Sequence, residues 1–207
     1  MRWTMDGEAD PDIELMRRWQ AGDAHAGNRL CRQYEDVLRR FFASKVPADE
    51  VAEQVQQTWL AMSRARGNLQ QLDAADTGAE RARQLGSFRC YLFGIARHMV
   101  LAYYKARARR RGVELDPEVE SLSTLEPSIS RQLSLQRNLQ WVELALQSLP
   151  LELQLLFESH YLEDMSGSEL ARALGVPEGT VRSRLRKARQ MLNDALDRLK
   201  TAGSPRA

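Results

Sequence analysis

Residues 163–192 read EDMSGSELARALGVPEGTVRSRLRKARQML and form two helices joined by a short turn. Ser166 stands three residues before Glu169, the reciprocal arrangement of a capping box. The helix it opens carries Leu170, Ala171 and Leu174 and meets Gly175, where glycine accepts the left-handed conformation that ends a helix. Pro177 suits the first turn of the next helix, because its missing N–H has no partner to lose there. Val181, Leu185, Ala188 and Leu192 then recur at spacings of four, three and four, which is one apolar stripe. Small Ala171, turn Gly175 and apolar Val181 are spaced for the close packing of a helix-turn-helix.

The other face of the second helix carries Arg182, Arg184, Arg186, Lys187 and Arg189, with no acid between Val181 and Gln190. A surface helix usually mixes signs to form supporting pairs one turn apart. A single-sign face is also what an ordinary solvated helix can carry. Beside helix-turn-helix spacing, it points to a recognition helix entering a DNA major groove.

Outward from this stretch, the 207 residues allow one large domain or two small ones, and 43% hydrophobic content is ample for helical cores. The net charge is only +2, so local blocks carry the information. No apolar run approaches the ~18 residues of a membrane span, and the first residues lack the pattern of a secretory signal. Cys31 and Cys90 stand far apart without metal-ligand or redox spacing, which predicts inert thiols in a reducing compartment. His25, His98 and His160 sit singly, without paired carboxylates, an HExxH pattern or a Gly-rich phosphate loop. No catalytic residue, metal or cofactor is therefore expected, and an enzyme is disfavoured.

The patterning predicts an all-α chain. A first helix starting at Asp10 or Asp12 carries Ile13, Leu15, Met16 and Trp19; a longer one from Ala24 carries Leu30, Tyr34, Val37, Leu38 and Phe41. Pro47 interrupts, and Asp49 opens a helix with Val51, Val55, Trp59 and Met62 as its stripe. Residues 66–85 lack a clear period and read as a loop or a short extra helix.

Residues 87–112, SFRCYLFGIARHMVLAYYKARARRRG, are sharply periodic again. Phe88, Leu92, Ile95, Met99, Tyr103 and Ala106 are expected to face the core. Arg97, Tyr104, Lys105 and Ala108 fall opposite, flanked by His98, Arg109 and Arg111. Cations interleaved with aromatics suit single-stranded or melting DNA, where phosphates are tracked and bases stack for ~1–3 kcal/mol each. The plainer reading is that Tyr103 and Tyr104 close a core beside a solvated basic end.

Composition then inverts. Glu114, Asp116, Glu118, Glu120 and Glu126 occur with Pro117 and Pro127 and without a basic residue, which reads as a flexible acidic linker. The expected organisation is two small helical domains, 10–111 and 132–200, joined by the linker 112–131, with the helix-turn-helix in the second.

Three stretches together resemble the sigma-70 family of bacterial RNA polymerase sigma factors, in the extracytoplasmic-function (ECF) class. Residues 47–65 (PADEVAEQVQQTWLAMSRA) are similar to the polymerase-binding helix, 86–110 to the minus-10 helix, and 149–189 to the minus-35-binding domain. The resemblance covers most of both domains and leaves out residues 66–85, the linker and the ends. It implies a factor that binds core polymerase, through the clamp helices of the largest subunit and the flap, and directs it to promoter DNA. Asp49, Glu53, Gln56 and Gln57 would be the polar polymerase contacts. Gln57 stands where relatives usually have an acid.

By the same resemblance Arg97, His98, Tyr104, Lys105 and Arg109 would serve the minus-10 element. Many relatives have asparagine at the position of His98 and an aspartate at that of Ala102. Thr180, Arg182, Ser183, Arg184, Arg186 and Lys187 would serve the minus-35 element, and arginine at guanine is the commonest specific pairing. The family also implies a cytoplasmic protein without membrane insertion, regulated by an anti-sigma partner. The rival reading is a stand-alone helix-turn-helix regulator. It accounts for 163–192 but leaves the second basic helix and the Glu53/Gln57 surface unexplained.

Overall fold

The computed structural model describes residues 10–68, 88–125 and 137–203, and among these the regular elements are helices. Asp10 begins the fold. One carboxylate oxygen accepts from Asp12 N (2.9 Å), capping α1 (Pro11–Gln20), and the other accepts from Phe88 N (3.0 Å) at the start of α4 (Phe88–Arg110). One side chain thus satisfies free N–H groups at the starts of two helices distant in sequence. Gly22 turns the chain at φ +104°, and Asp23 caps α2 (Ala24–Ala43) by accepting from His25 N and Ala26 N. Gly27 lets α2 approach α1 closely, because a Cβ there would lie 2.4 Å from the Trp19 ring. After a turn at 48–50, rather than at Asp49 itself, α3 (Val51–Asn68) runs back along α2 and α4.

Leu30, Tyr34, Leu38, Phe41 and Phe42 of α2 are buried against Val51, Val55 and Met62 of α3 and Phe88, Leu92, Phe93, Ala96 and Val100 of α4. Tyr34 meets Phe88 and Phe41 meets Phe93 with ring centroids 5.2 and 5.4 Å apart, ordinary tilted and edge-on aromatic packing.

The order of faces on α4 differs from the expectation. Tyr104 is 1% exposed, while Ile95, Met99 and Tyr103 are only half-buried. Two apolar stripes lie side by side on this helix, and residue spacing alone does not say which one meets the core. The choice falls on Phe93, Val100 and Tyr104, and the Tyr104 hydroxyl donates to the Lys45 carbonyl just beyond the end of α2. A helix end leaves such carbonyls without partners, so the phenol has a ready acceptor.

Residues 112–125, expected as a flexible tether, are packed. Gly112 turns out of α4 at φ +72°, Leu115 and Leu122 are buried, and α5 (Leu122–Leu125) adds one helical turn. Leu151 N donates to Glu120 O (2.8 Å), Glu152 N donates to Pro117 O (2.9 Å), and Ser121 bridges to Pro150. Two isolated leucines among acids give no periodic signal, yet each has a pocket to fill. The remainder of the linker, 126–131, lies outside the described residues, as do 69–85 of the expected loop; its first residues, 66–68, continue α3.

The C-terminal half comprises α6 (Arg137–Gln147), α7 (Leu151–Tyr161), α8 (Gly167–Leu174) and α9 (Glu178–Gly203). Helix α7 buries Leu151, Leu153, Gln154, Leu155, Leu156, Glu158 and Ser159, nearly its whole circumference. A helix covered on nearly all sides belongs in an interior, and its buried polar groups then need partners. One side meets α9 through Leu153 and Ala188, Leu192 and Ala195. The other side places Leu151, Leu155 and Leu156 in the same apolar cluster as the α2–α4 core. The two halves are therefore packed on each other.

Candidate nucleic-acid interface

The helix-turn-helix forms as its sequence requires. Ser166 Oγ accepts from Glu169 N (3.2 Å), and a Glu169 carboxylate oxygen accepts from Ser166 N (2.7 Å). Gly175 ends α8 at φ 65°, ψ 31°, with its N–H on the Ala171 and Arg172 carbonyls. Val181 is fully buried and anchors the start of α9. Its opposite face is open: Arg182, Ser183, Arg186 and Lys187 are exposed and Thr180 is half-buried at the edge. Arg182 lies 3.4 Å from Glu178 with 80% of its side chain exposed, a pairing that solvent largely screens. Arg184 points to the flank, 3.5 Å from Glu118 of the packed segment 112–125 (the strap), and Arg189 donates to the Tyr161 hydroxyl. The open face of α9 thus brings together Thr180, Arg182, Ser183, Arg186 and Lys187 and sets Arg184 to one side.

On α4, His98, Lys105 and Arg109 are exposed. Tyr104 is not on this face: its ring is in the core, and the aromatic at the surface is half-buried Tyr103, held by Arg107 Nη1 (3.0 Å). Arg97 is partly covered and paired with Glu152 of α7. His98 lies at the rim of an apolar groove of about 350 Å³ lined by Ala61, Tyr91, Ile95, Met99 and, from α8, Ala173.

Asp49, in the turn before α3, and Glu53 and Gln56 on it are exposed, and Gln57 donates to Glu53 (2.7 Å) from one turn further on. Trp59 packs half-buried behind them, beside Leu60 at 37% exposure.

Sequence reasoning missed a set of charges between the halves. Lys45 pairs with Glu158, Arg89 with Glu163 (2.6 Å) and Arg97 with Glu152. Burial pushes the Glu163 carboxyl above its ordinary value, against the pull of Arg89. The missed signal was the position of Glu158 directly after the apolar run Leu155, Leu156 and Phe157 of α7.

Three described features converge: an all-helical chain, a helix-turn-helix and two basic helix faces. They define a helix-turn-helix DNA-binding protein. The family described as sigma-70, region 4 matches residues 139–192. The ECF RNA polymerase sigma-E factors of Escherichia coli (strain K12) and Salmonella typhimurium (strain LT2) are each 27% identical over 195 residues, 91% of this chain and 95% of theirs. That of Haemophilus influenzae is 25% identical over 196 residues, 91% of this chain and 96% of its own. Two solved structures share the fold. CnrH, in complex with the cytosolic domain of CnrY, has a TM-score of 0.55 at 24% identity, over 94% of this chain and 100% of that one. The sigma factor RpoE of Bartonella quintana, in complex with the anti-sigma factor NepR, has a TM-score of 0.54 at 18% identity, over 82% of this chain and 96% of that one.

The chain carries a sigma-70 region 4 and is similar along 91% of its length to ECF sigma-E factors, which supports an extracytoplasmic-function sigma-70 factor. It is accordingly a promoter-specific transcription initiation factor, and sigma factors as a group are non-enzymatic.

Proposed function

We propose that the open face of α9 enters the major groove of the minus-35 element, with Arg182, Arg186 and Lys187 supplying its cations and Thr180 and Ser183 its hydroxyls. Arg184 flanks the groove and meets phosphate. The observation that carries this reading is the cationic surface of α9, exposed and without an acid from Val181 to Gln190. On α4, Lys105 and Arg109 track the phosphates of the minus-10 element, joined by Arg97 when its partner lets go, and His98 faces a base at the groove rim. Asp49, Glu53, Gln56 and Gln57 form the contact with the polymerase clamp helices, with Trp59 packed behind.

In this reading 10–111 and 132–200 are the two functional domains. The strap and linker between them act as the connector that separates minus-10 from minus-35 binding. The chain works in the cytoplasm and carries no catalytic activity of its own, because RNA synthesis belongs to the core enzyme. An anti-sigma protein is the expected regulator, supported by the two similar folds having been solved with CnrY and with NepR. No helix among the described residues is long and apolar enough to cross a membrane.

Run-off transcription tests the proposal: core polymerase and a candidate promoter, with and without this chain. Promoter-specific transcript is expected only on addition, and Arg186→Ala with Lys187→Ala should abolish it without loss of polymerase co-elution. Tight binding to duplex promoter DNA without polymerase, and no co-elution with it, would instead favour the stand-alone regulator.

A further inference from the structure

We propose that Thr124 is a phosphorylation site, and that Arg107 and Arg111 at the end of α4 form the cradle for its phosphoryl group. The strap leaves α4 at Gly112 between two pairs of cations. On one side Lys105 and Arg109 line a cleft of about 520 Å³, shared with Glu114, Leu115 and Pro117. On the other side Arg107 and Arg111 line a smaller cleft of about 150 Å³, whose far wall is Glu120, Thr124 and Leu125 of the strap. The wide cleft suits a polymer backbone, and the small one suits a single tetrahedral anion. The strap thus brings one hydroxyl to two guanidiniums.

The surroundings fit a phosphate monoester. Thr124 is exposed, so a kinase reaches it, and its hydroxyl lies 3.0 Å from Ser121 Oγ. Leu122, fully buried, anchors α5 and holds Thr124 at the cleft. Arg107 is already aimed, with Nη1 donating to the Tyr103 hydroxyl (3.0 Å). Arg111 is exposed and makes no ion pair among the described residues. Glu120, the acid of this cleft, is engaged by the strap itself, accepting from Asp116 N (3.3 Å). The cleft is therefore left net positive. A phosphothreonine brings ~1.5 to 2 negative charges and three acceptor oxygens, which two arginines can match. Ser123 is also exposed and lies 2.8 Å from Ser121 Oγ, but it does not line the cleft. The group comes from ATP through a serine/threonine protein kinase. Thr124 Oγ1 bonds to the γ-phosphorus, the bond from that phosphorus to the bridging oxygen breaks, ADP leaves, and the hydroxyl proton passes to the kinase's base.

Once bound, the phosphoryl group fastens the strap to α4 and discharges the end of the helix whose Lys105 and Arg109 are assigned to promoter phosphates. That consequence, unlike the site, rests on the sigma-factor reading above. The test uses the full chain carrying phosphothreonine at 124 by site-specific incorporation, beside the unmodified chain. By phosphorus NMR the second ionisation of the phosphate, ordinarily near pH ~6, should fall about one unit lower in the folded chain than in the same chain in urea. Arg107→Ala and Arg111→Ala should each move it back toward the unfolded value. Arg111 is exposed, so its variant decides the matter if Arg107→Ala misfolds by circular dichroism. An ionisation identical in the folded and unfolded chains, or indifferent to both arginines, would overturn the cradle.

Peptide mapping by mass spectrometry of the chain isolated from its own cells, across growth and stress, should find a phosphoryl group on Thr124. Its absence throughout, or its presence on Ser123 alone, would overturn the modification. In run-off transcription the phosphorylated chain should give several-fold less transcript, while unmodified Thr124→Val matches wild type. Equal transcript from the phosphorylated chain would overturn the regulatory consequence. No transcript from the unmodified wild-type chain, on promoters it is expected to serve, would remove the sigma-factor reading, and the phosphorus signal would still decide the site.

Discussion

Lys45 and Glu158 form an ion pair across the two halves of the chain, with only 2% and 5% of their side chains exposed. The Lys45 ammonium also donates to Phe41 O (2.7 Å) and Ser44 Oγ (3.0 Å) and lies 4.1 Å from the Phe41 ring centroid. Glu158 accepts in addition from Gln154 Nε2 (2.8 Å). Desolvating both charges is costly, and such a pair fixes register more dependably than it adds stability.

Removing one partner should therefore be severe. Glu158→Leu leaves a buried ammonium uncompensated, for which ~3–5 kcal/mol is the usual loss. Here separation of the halves rehydrates Lys45 and caps that loss. Urea unfolding of Glu158→Leu should show an early transition and a broadened profile, whereas Lys45→Met with Glu158→Leu should unfold close to wild type. A double variant as unstable as the single one would contradict this account.

Tyr104 is a core residue, not a stacking platform. Tyr104→Phe removes one buried hydrogen bond, worth about 1 kcal/mol, and should leave DNA affinity unchanged. Tyr104→Ala should cost about 3–5 kcal/mol by thermal melting. A weaker affinity for single-stranded DNA in a fully folded Tyr104→Phe chain would return the ring to the DNA face.

Arg182→Ala and Lys187→Ala should each weaken duplex DNA binding by the polymerase complex. Each should also make the salt slope shallower by about 0.9 for every phosphate that is no longer neutralised. Both side chains are exposed, so melting temperatures should not move. Pull-down with core polymerase should match wild type; equal loss of polymerase binding would argue that this face of α9 meets the enzyme.

Asp12 gives a pH signature. Burial raises its carboxyl above the ordinary 3.8, outweighing the hydrogen bonds from Tyr34 (2.6 Å) and Gln33 (2.8 Å), and Asp10 and Arg29 act on it in opposite senses. A raised folded value means that the folded state holds the proton more tightly. Its stabilising contribution is thus present below pH 3.8 and lost as pH rises through the folded value, at ~1.4 kcal/mol per unit of displacement. Relative to wild type, Asp12→Asn should gain stability between pH 3 and 7 in thermal melts. A relative loss over that range would reverse the assignment.

The sequence by itself determined the helices, the helix-turn-helix and the open cationic face of α9, because each depends on neighbours within a few residues. Ser166 finds Glu169 three positions on, Gly175 sits where the backbone turns left-handed, and Val181, Leu185, Ala188 and Leu192 align by helical period alone. Only the tertiary structure decided which of the two stripes of α4 is inside. Ile95–Met99–Tyr103 and Phe93–Val100–Tyr104 are equally periodic, and the carbonyl of Lys45 and the rings of α2 made the choice. Tertiary packing also put Leu115 and Leu122 into the core and brought Glu152, Glu158 and Glu163 to cations dozens of residues away. Such pairings answer to burial and long-range charge, which leave no period in the chain to read.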